Sequence, residues 1–144
     1  MDIRIIEPKS AEDFKNYFQL RWEVLRKPWE QPKGSERDDS DSLAFHRMVL
    51  DQDDHIMGVG MLLLNSKAEA QIRFMGVKDC FQGMKVGTLL IKSLELIAYE
   101  RKCSHVILQS RESAVNFYKK NGYKVVKKTY LLFGEIQHFL MQKK

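Results

Sequence analysis

This chain of 144 residues has two cysteines, Cys80 and Cys103, too few and too far apart for a disulfide scaffold or a thiolate zinc site. Free thiols in a reducing compartment are the expectation. Long apolar runs are also missing: the longest, Ile56 to Leu64, falls well short of the roughly 20 residues that a membrane helix needs. Met1-Asp2-Ile3-Arg4 lacks the basic-then-apolar order of a secretory signal, so a cytoplasmic protein is expected. With only 3 prolines, 8 glycines, no repeat and no low-complexity stretch, neither disorder nor a fibrous architecture fits. No His/Asp/Glu/Cys set has ligand spacing, which argues against a metal centre. What is present is 44% hydrophobic and 30% charged residues, the make-up of one folded domain over 1–144. The net charge of +5 and the pI near 9.2 suggest an anion nearby: nucleic acid, a polyphosphate cofactor or an acidic protein. Nucleic acid ranks last, because the Lys and Arg residues form no stripe interleaved with aromatics.

The chain predicts alternating strands and helices. Asp2 to Glu7 is a short strand closed by Pro8, and Ser10 with Asp13 forms an acidic capping box. Phe14, Phe18, Arg21, Trp22 and Leu25 then follow at helical spacing up to Pro28. The polar stretch Pro28 to Ser42 reads as a loop or short helical turn. Leu43–Leu50 and Ile56–Leu64 are antiparallel strands around the acidic turn Asp51-Gln52-Asp53-Asp54, and Ala70–Val77 is a third strand. A long helix is expected from about Gly83 to Arg101, with Val86, Leu89, Leu90, Leu94 and Ile97 as its buried stripe. Val106–Leu108 is a short strand and Ser113–Asn121 a second amphipathic helix, with Gly122 at its cap. Tyr123–Phe133 and Glu135–Met141 complete a terminal hairpin. This order is a mixed α/β domain.

Most of the chemistry lies in Ile72-Arg73-Phe74-Met75-Gly76-Val77 followed by Gln82-Gly83-Met84-Lys85-Val86-Gly87-Thr88. A strand running through a short loop into a helix N-terminus leaves unpaired N–H groups at a positive dipole end, a seat for phosphate. Gly83 and Gly87 either let phosphate approach the main chain or only make the turn and pack the helix. Without a Gly-Lys-Ser/Thr triplet this is no nucleotide P-loop. Downstream stands Ala114-Val115-Asn116-Phe117-Tyr118-Lys119-Lys120-Asn121-Gly122-Tyr123.

Together these segments resemble the GNAT superfamily of acyl-CoA-dependent N-acyltransferases. Its pyrophosphate loop reads Arg/Gln-x-x-Gly-x-Gly/Ala, matched at Gln82 and Gly87, with Lys85 where the central glycine usually stands. Its later helix reads Ala-x-x-Phe-Tyr-x-x-x-Gly-Phe/Tyr, matched at Ala114, Phe117, Tyr118, Gly122 and Tyr123. Within the superfamily, Arg21–Pro28, Gly34–Asp38, Ile72–Val77 and Ile136–Met141 look like the GNAT domain of a bacterial bifunctional protein that also carries a hot-dog thioesterase-like domain. The chain ends at Lys144 without that second domain, which leaves a fatty-acid role a minor hypothesis.

The resemblance implies a six- to seven-stranded, mostly antiparallel mixed sheet flanked by about four helices. It implies acetyl-CoA as co-substrate, its pantetheine arm added to the edge of the strand Phe74 to Val77. Cofactor contacts would come from Met75, Gly76, Val77, Gln82, Gly83, Met84, Lys85, Val86, Gly87, Thr88, Asn116 and Tyr118. Lys85, in the first helical turn, would carry no backbone cost and turn its cation toward the phosphates. An amine would attack the thioester directly, its carbonyl polarised by a strand N–H, and Tyr118 would be general acid for the departing thiolate. His46, His138 and Glu69 are candidates for the base, beside a water relay. Arg73 would hold an acidic acceptor or pair with Glu36 or Asp38, Arg111 would touch a phosphate or line the acceptor site, and the acidic loop Gly34–Asp41, Glu36 included, would either attract a cationic amine or simply be solvated. The acceptor is a small-molecule amine or a protein amino group. Transfer to the thiol of an acidic carrier protein and a non-catalytic CoA-binding module are the competing readings, and pairing through the final strands would make a homodimer.

Overall fold

The computed structural model describes residues 2–144. Seven strands form one sheet in the order β1-β2-β3-β4-β5-β7-β6. β1 (Arg4–Ile6), β2 (Phe45–Leu50), β3 (Ile56–Leu64) and β4 (Glu69–Val77) run antiparallel in sequence order. β5 (His105–Arg111) lies parallel to β4, as the intervening helix α2 (Val86–Glu100) requires. β6 (Lys124–Leu132) and β7 (Ile136–Lys143) form the last hairpin, and β7 inserts between β5 and β6. Two further helices complete the domain, α1 (Ala11–Leu25) and α3 (Val115–Lys120). The expected mixed, mostly antiparallel sheet is present. The expected fourth helix is instead a set of single 3-10 turns, two of them, Lys27–Trp29 and Asp39–Leu43, within the polar stretch after α1.

The helices cover opposite faces of the sheet. α1 starts at a reciprocal capping box, Asp13 N–H donating to Ser10 Oγ at 3.0 Å and Ser10 N–H to the Asp13 carboxylate at 3.3 Å. Its fully buried residues are Tyr17, Leu20 and Arg21, of which Tyr17 and Leu20 make one core cluster with Met48, Leu50 and Val59. Of the expected line Phe14, Phe18, Arg21, Trp22 and Leu25, Arg21 is fully buried and the others are partly buried, because the face is turned toward Tyr17, which reaches through to hydrogen-bond the Gly60 carbonyl at 2.9 Å. α2 buries Val86, Leu90, Ile91, Leu94, Ile97 and Ala98 against the other face, close to the expected stripe. No helix among the described residues is long and apolar enough to cross a membrane.

Element starts depart from expectation where local geometry intervenes. β2 begins at Phe45, since Leu43 ends a 3-10 turn and is 78% exposed. β5 extends to Arg111 because β7 pairs it along its whole second half. α2 begins at Val86 rather than Gly83, for Lys85 holds φ +65° and cannot lie inside a right-handed helix.

Candidate active site

The sheet opens in its middle. β4 and β5 pair only from Glu69/His105 to Ile72/Leu108, and beyond that point Arg73–Val77 has no strand beside it on the β5 side. Gly60 of β3 faces two residues of β4, Phe74 and Met75, between the pairs Met61/Arg73 and Val59/Gly76. This is a β-bulge, and Phe74 sits in it at φ +51°. A bulky residue in that region costs roughly 1–3 kcal/mol, so the bend must be held by its surroundings. The guanidinium groups of Arg21, Arg73 and Arg26 hold it, at 4.4, 4.8 and 5.6 Å from the ring centroid. The bulge turns β4 away from β5 at the place where the main chain becomes available to an added strand.

A cavity of about 570 Å³ occupies the opening. Its wall draws on α1 and the following turn (Leu25, Arg26, Trp29), on the loop before β2 (Arg37, Asp38), and on Gln71–Met75, Leu108–Arg111, Tyr118 and the β6–β7 hairpin. It therefore takes in residues from the α1 side and from the α3 side of the sheet. Four of the expected residues meet there: Arg73, Met75, Arg111 and Tyr118, with His138 as the fifth. Gly76 and Val77 continue β4 past it, Gly76 so close under α1 that a Cβ would meet Val24 at 3.1 Å.

Tyr118 and His138 have the protonation states that transfer chemistry uses. Burial pushes the Tyr118 phenol up to about 12 against the opposing charge of Arg111, so it holds its proton near neutral pH. Its ring packs edge-on against Phe117 and Tyr123, at 5.1 and 6.0 Å. Burial, together with the charges of Arg111 and Arg26, pulls His138 below the usual imidazole range, and its bond to the Ile136 carbonyl opposes this only in part. That bond, Nδ1 at 3.0 Å from the oxygen, places the proton on Nδ1 and leaves Nε2 with its lone pair. Tyr130 stacks on the His138 ring at 4.5 Å and 14°. A second bulge, with Thr129 and Tyr130 opposite His138 alone, brings it there.

The loop into α2 is a main-chain site. Gln82 is exposed and contacts Asp79 and the Val77 carbonyl, while Gly83 (φ +81°) and Lys85 (φ +65°) bend the chain into the helix. Among the described residues no acceptor is found for the N–H groups from Gly83 to Thr88, Met84, Val86 and Gly87 included, and no side chain caps them. Lys85 is the N-cap in left-handed geometry, which corrects the expectation that it would sit in the first turn at no backbone cost. The two glycines also differ. A Cβ on Gly83 would meet nothing within 4 Å, whereas one on Gly87 would meet the Phe117 ring at 2.8 Å. Gly87 is small so that α3 can pack on α2, the packing role of the two that its sequence allowed. Asn116 is exposed on α3.

Other expected residues lie elsewhere. His46 is buried under α1, its two nitrogens taken by Tyr17 Oη and the Asp41 carbonyl, each at 2.7 Å. Glu69 is at the far end of β4, bonded to His105 Nε2 and Asn65 Nδ2, each at 2.9 Å. Glu36 is buried, accepting from Gly34 N–H at 2.8 Å, outside the cavity wall. Nor is the acidic loop an open lure for cations. Asp41 pairs with Arg21 at 2.8 Å, and Asp38 with Arg73 at 2.9 Å, one of the two partners expected for Arg73. Arg26, Trp29, Arg37, Gln109 and Tyr130 in the wall had no local signal, since each stands in a segment that reads as helix end, loop or plain strand.

Residues 14–123 match the profile of the acetyltransferase (GNAT) family. The uncharacterized N-acetyltransferase YjcF of Bacillus subtilis (strain 168) is 28% identical over 141 residues, 98% of this chain and 99% of that protein. Among solved structures, an aminoglycoside 6'-N-acetyltransferase complexed with coenzyme A superposes with a TM-score of 0.81 at 17% identity, over 99% of this chain and 96% of that one. ElaA of Escherichia coli does so with a TM-score of 0.80 at 23% identity over the whole of both chains.

Proposed function

This chain belongs to the GNAT acetyltransferase family and is an acyl-CoA-dependent N-acetyltransferase, and we propose that its acceptor amine attacks the thioester directly inside the cavity between β4 and β5. The observation that carries this reading is the parted sheet, with a proton-bearing Tyr118 on one side and a proton-free His138 Nε2 on the other. Acetyl-CoA supplies the activated acyl group. The N–H groups of Gly83–Thr88 suit its pyrophosphate, and the free edge of Arg73–Val77 suits its arm and the polarised carbonyl.

In this scheme the acceptor enters as a free amine. Its nitrogen forms the new C–N bond, His138 Nε2 takes the proton this nitrogen sheds, the C–S bond breaks, and the Tyr118 hydroxyl protonates the departing sulfur. Holding the two reactants in line is the larger contribution, with proton transfer worth roughly 10²–10⁴-fold. His46 and Glu69, each bonded away from the cavity, are not used.

The same reading treats the chain, 1–144, as one acyltransferase domain, working in the cytoplasm. A homodimer through the outer strand β6, where Val125, Val126 and Leu131 are exposed, would show in light scattering. The finer likeness to a bifunctional protein's acyltransferase domain rests on sequence segments alone, and its test is the acceptor: CoA release with an amine panel and with an acidic carrier protein. Turnover with amines is expected. Turnover with the carrier thiol alone, or acetyl-CoA binding with no turnover, would replace this reading by thiol transfer or by a regulatory module.

A further inference from the structure

Resting on the acyltransferase reading, we infer that the acceptor amine carries an oxyanion, a carboxylate or phosphate, which Arg111 and the neighbouring guanidinium groups of the cavity hold. The wall has four arginines, Arg26, Arg37, Arg73 and Arg111, against a single carboxylate, Asp38. That carboxylate is already taken by Arg73 at 2.9 Å and by Ser40. Arg26 donates to the carbonyl oxygens of Ser35 and Leu25, both at 3.1 Å, which engages two of its five N–H donors and leaves its charge uncompensated. Arg37 is mostly exposed and lies 3.4 Å from Glu36.

Arg111 is different. It is partly buried at the end of β5, opposite His138, and no ion pair or hydrogen bond to its guanidinium is found among the described residues. A half-buried, unpaired cation is costly, and a bidentate oxyanion is the ligand that relieves it most. The positive field converges on the cavity: Arg111 and Arg26 both act on His138, Arg73 and Arg26 on Tyr130, and Arg111 on Tyr118. Coenzyme A does not account for it: the loop suited to its pyrophosphate, Gly83–Thr88, shares no residue with this wall, and the arm that would lie along Arg73–Val77 is uncharged. A polycationic amine would be repelled. The same field lowers the pKa of an acceptor's ammonium group and favours its nucleophilic form.

The test compares matched amines by CoA release: glucosamine against glucosamine 6-phosphate, alaninamide against alanine, and spermidine as the polycation. At least one anion-bearing member should exceed its neutral partner about tenfold or more in kcat/KM, and which pair responds separates phosphate from carboxylate. Arg111→Gln should erase that ratio through KM, Arg111→Lys should restore part of it, and acetyl-CoA affinity should stay within about threefold in both. Preference for the neutral member or spermidine, or an Arg111→Gln defect in acetyl-CoA affinity instead, would overturn the inference. If no amine turns over, the acyltransferase reading fails, and the anion site is read separately from Trp29 fluorescence. Inorganic phosphate or citrate at constant ionic strength should saturate the wild type and bind Arg111→Gln about tenfold more weakly; a response that never saturates overturns the anion site.

Discussion

The α2 side of the site and the α1 side are built from different material. Toward α2, the groups offered to a ligand are main-chain N–H and C=O, drawn from one stretch of chain between Arg73 and Thr88. Toward α1, they are side chains from Arg26 to His138, gathered from the end of α1, the loop before β2 and the strands β4, β5, β6 and β7. A main-chain seat accepts many sequences, so it suits a cofactor that never changes. A side-chain wall can be altered one residue at a time, so it suits an acceptor that differs between enzymes. The contrast predicts that substitutions on each side have separable effects.

Tyr118 stands between the two sides, and its loss should be the most severe. Tyr118→Phe is expected to lower kcat roughly 10²–10⁴-fold, with acetyl-CoA affinity measured by calorimetry almost unchanged. An equal loss in affinity would make Tyr118 part of the cofactor seat and break the contrast. His138→Gln follows, at the low end of the range for a general base, with kcat/KM down roughly 100-fold at neutral pH. Because His138 is pulled below the usual imidazole value of about 6.5, the wild-type rate should stay level through that pH and fall only in more acid solution. The variant should lack this acid limb. Stability carries the same sign: unfolded His46 and His138 bind more protons than the folded residues, so stability is lost as pH falls from about 6.5 toward their folded values.

Gly87→Ala probes the α2 side. Its methyl would press on Phe117, costing about 1–3 kcal/mol in urea unfolding and weakening acetyl-CoA binding while leaving the acceptor KM near its original value. The smallest effect belongs to Glu69→Gln, at the far end of β4: activity within twofold of wild type, and stability lowered by less than about 1 kcal/mol through the partly exposed His105 contact.

The same contrast explains what could be read from the sequence. Elements specified by neighbours in the chain were legible: the Ser10/Asp13 capping box, the hairpin around Asp51–Asp54, the α2 stripe, and the Gly-containing turn with the later Phe117-Tyr118 helix. Tyr118, His138, Arg73 and Arg111 were expected and do meet in one cavity. The left-handed Phe74 and Lys85 were not foreseen, because neither residue type favours that geometry, and at Phe74 it is contacts from other elements that stabilise it. Arg26 and Arg37, the other half of the arginine wall, were illegible for a similar reason. Arg26, Arg37, Arg73 and Arg111 are far apart in sequence and converge only where β4 leaves β5. The acidic loop misled because its carboxylates look free in sequence, yet their partners, Arg21 and Arg73, come from α1 and β4.

The most direct measurement is a pair of titrations followed by ¹⁵N resonance of main-chain amides and arginine Nε–H groups. Coenzyme A should shift the amides of Gly83–Thr88 and Phe74–Val77 and leave the Arg26 and Arg111 side-chain signals nearly in place. An oxyanion-bearing amine, added to the same sample, should do the reverse. Movement of the Arg111 side chain by coenzyme A as large as that of the Gly83–Thr88 amides would contradict the division of the site into a main-chain cofactor seat and a cationic acceptor wall.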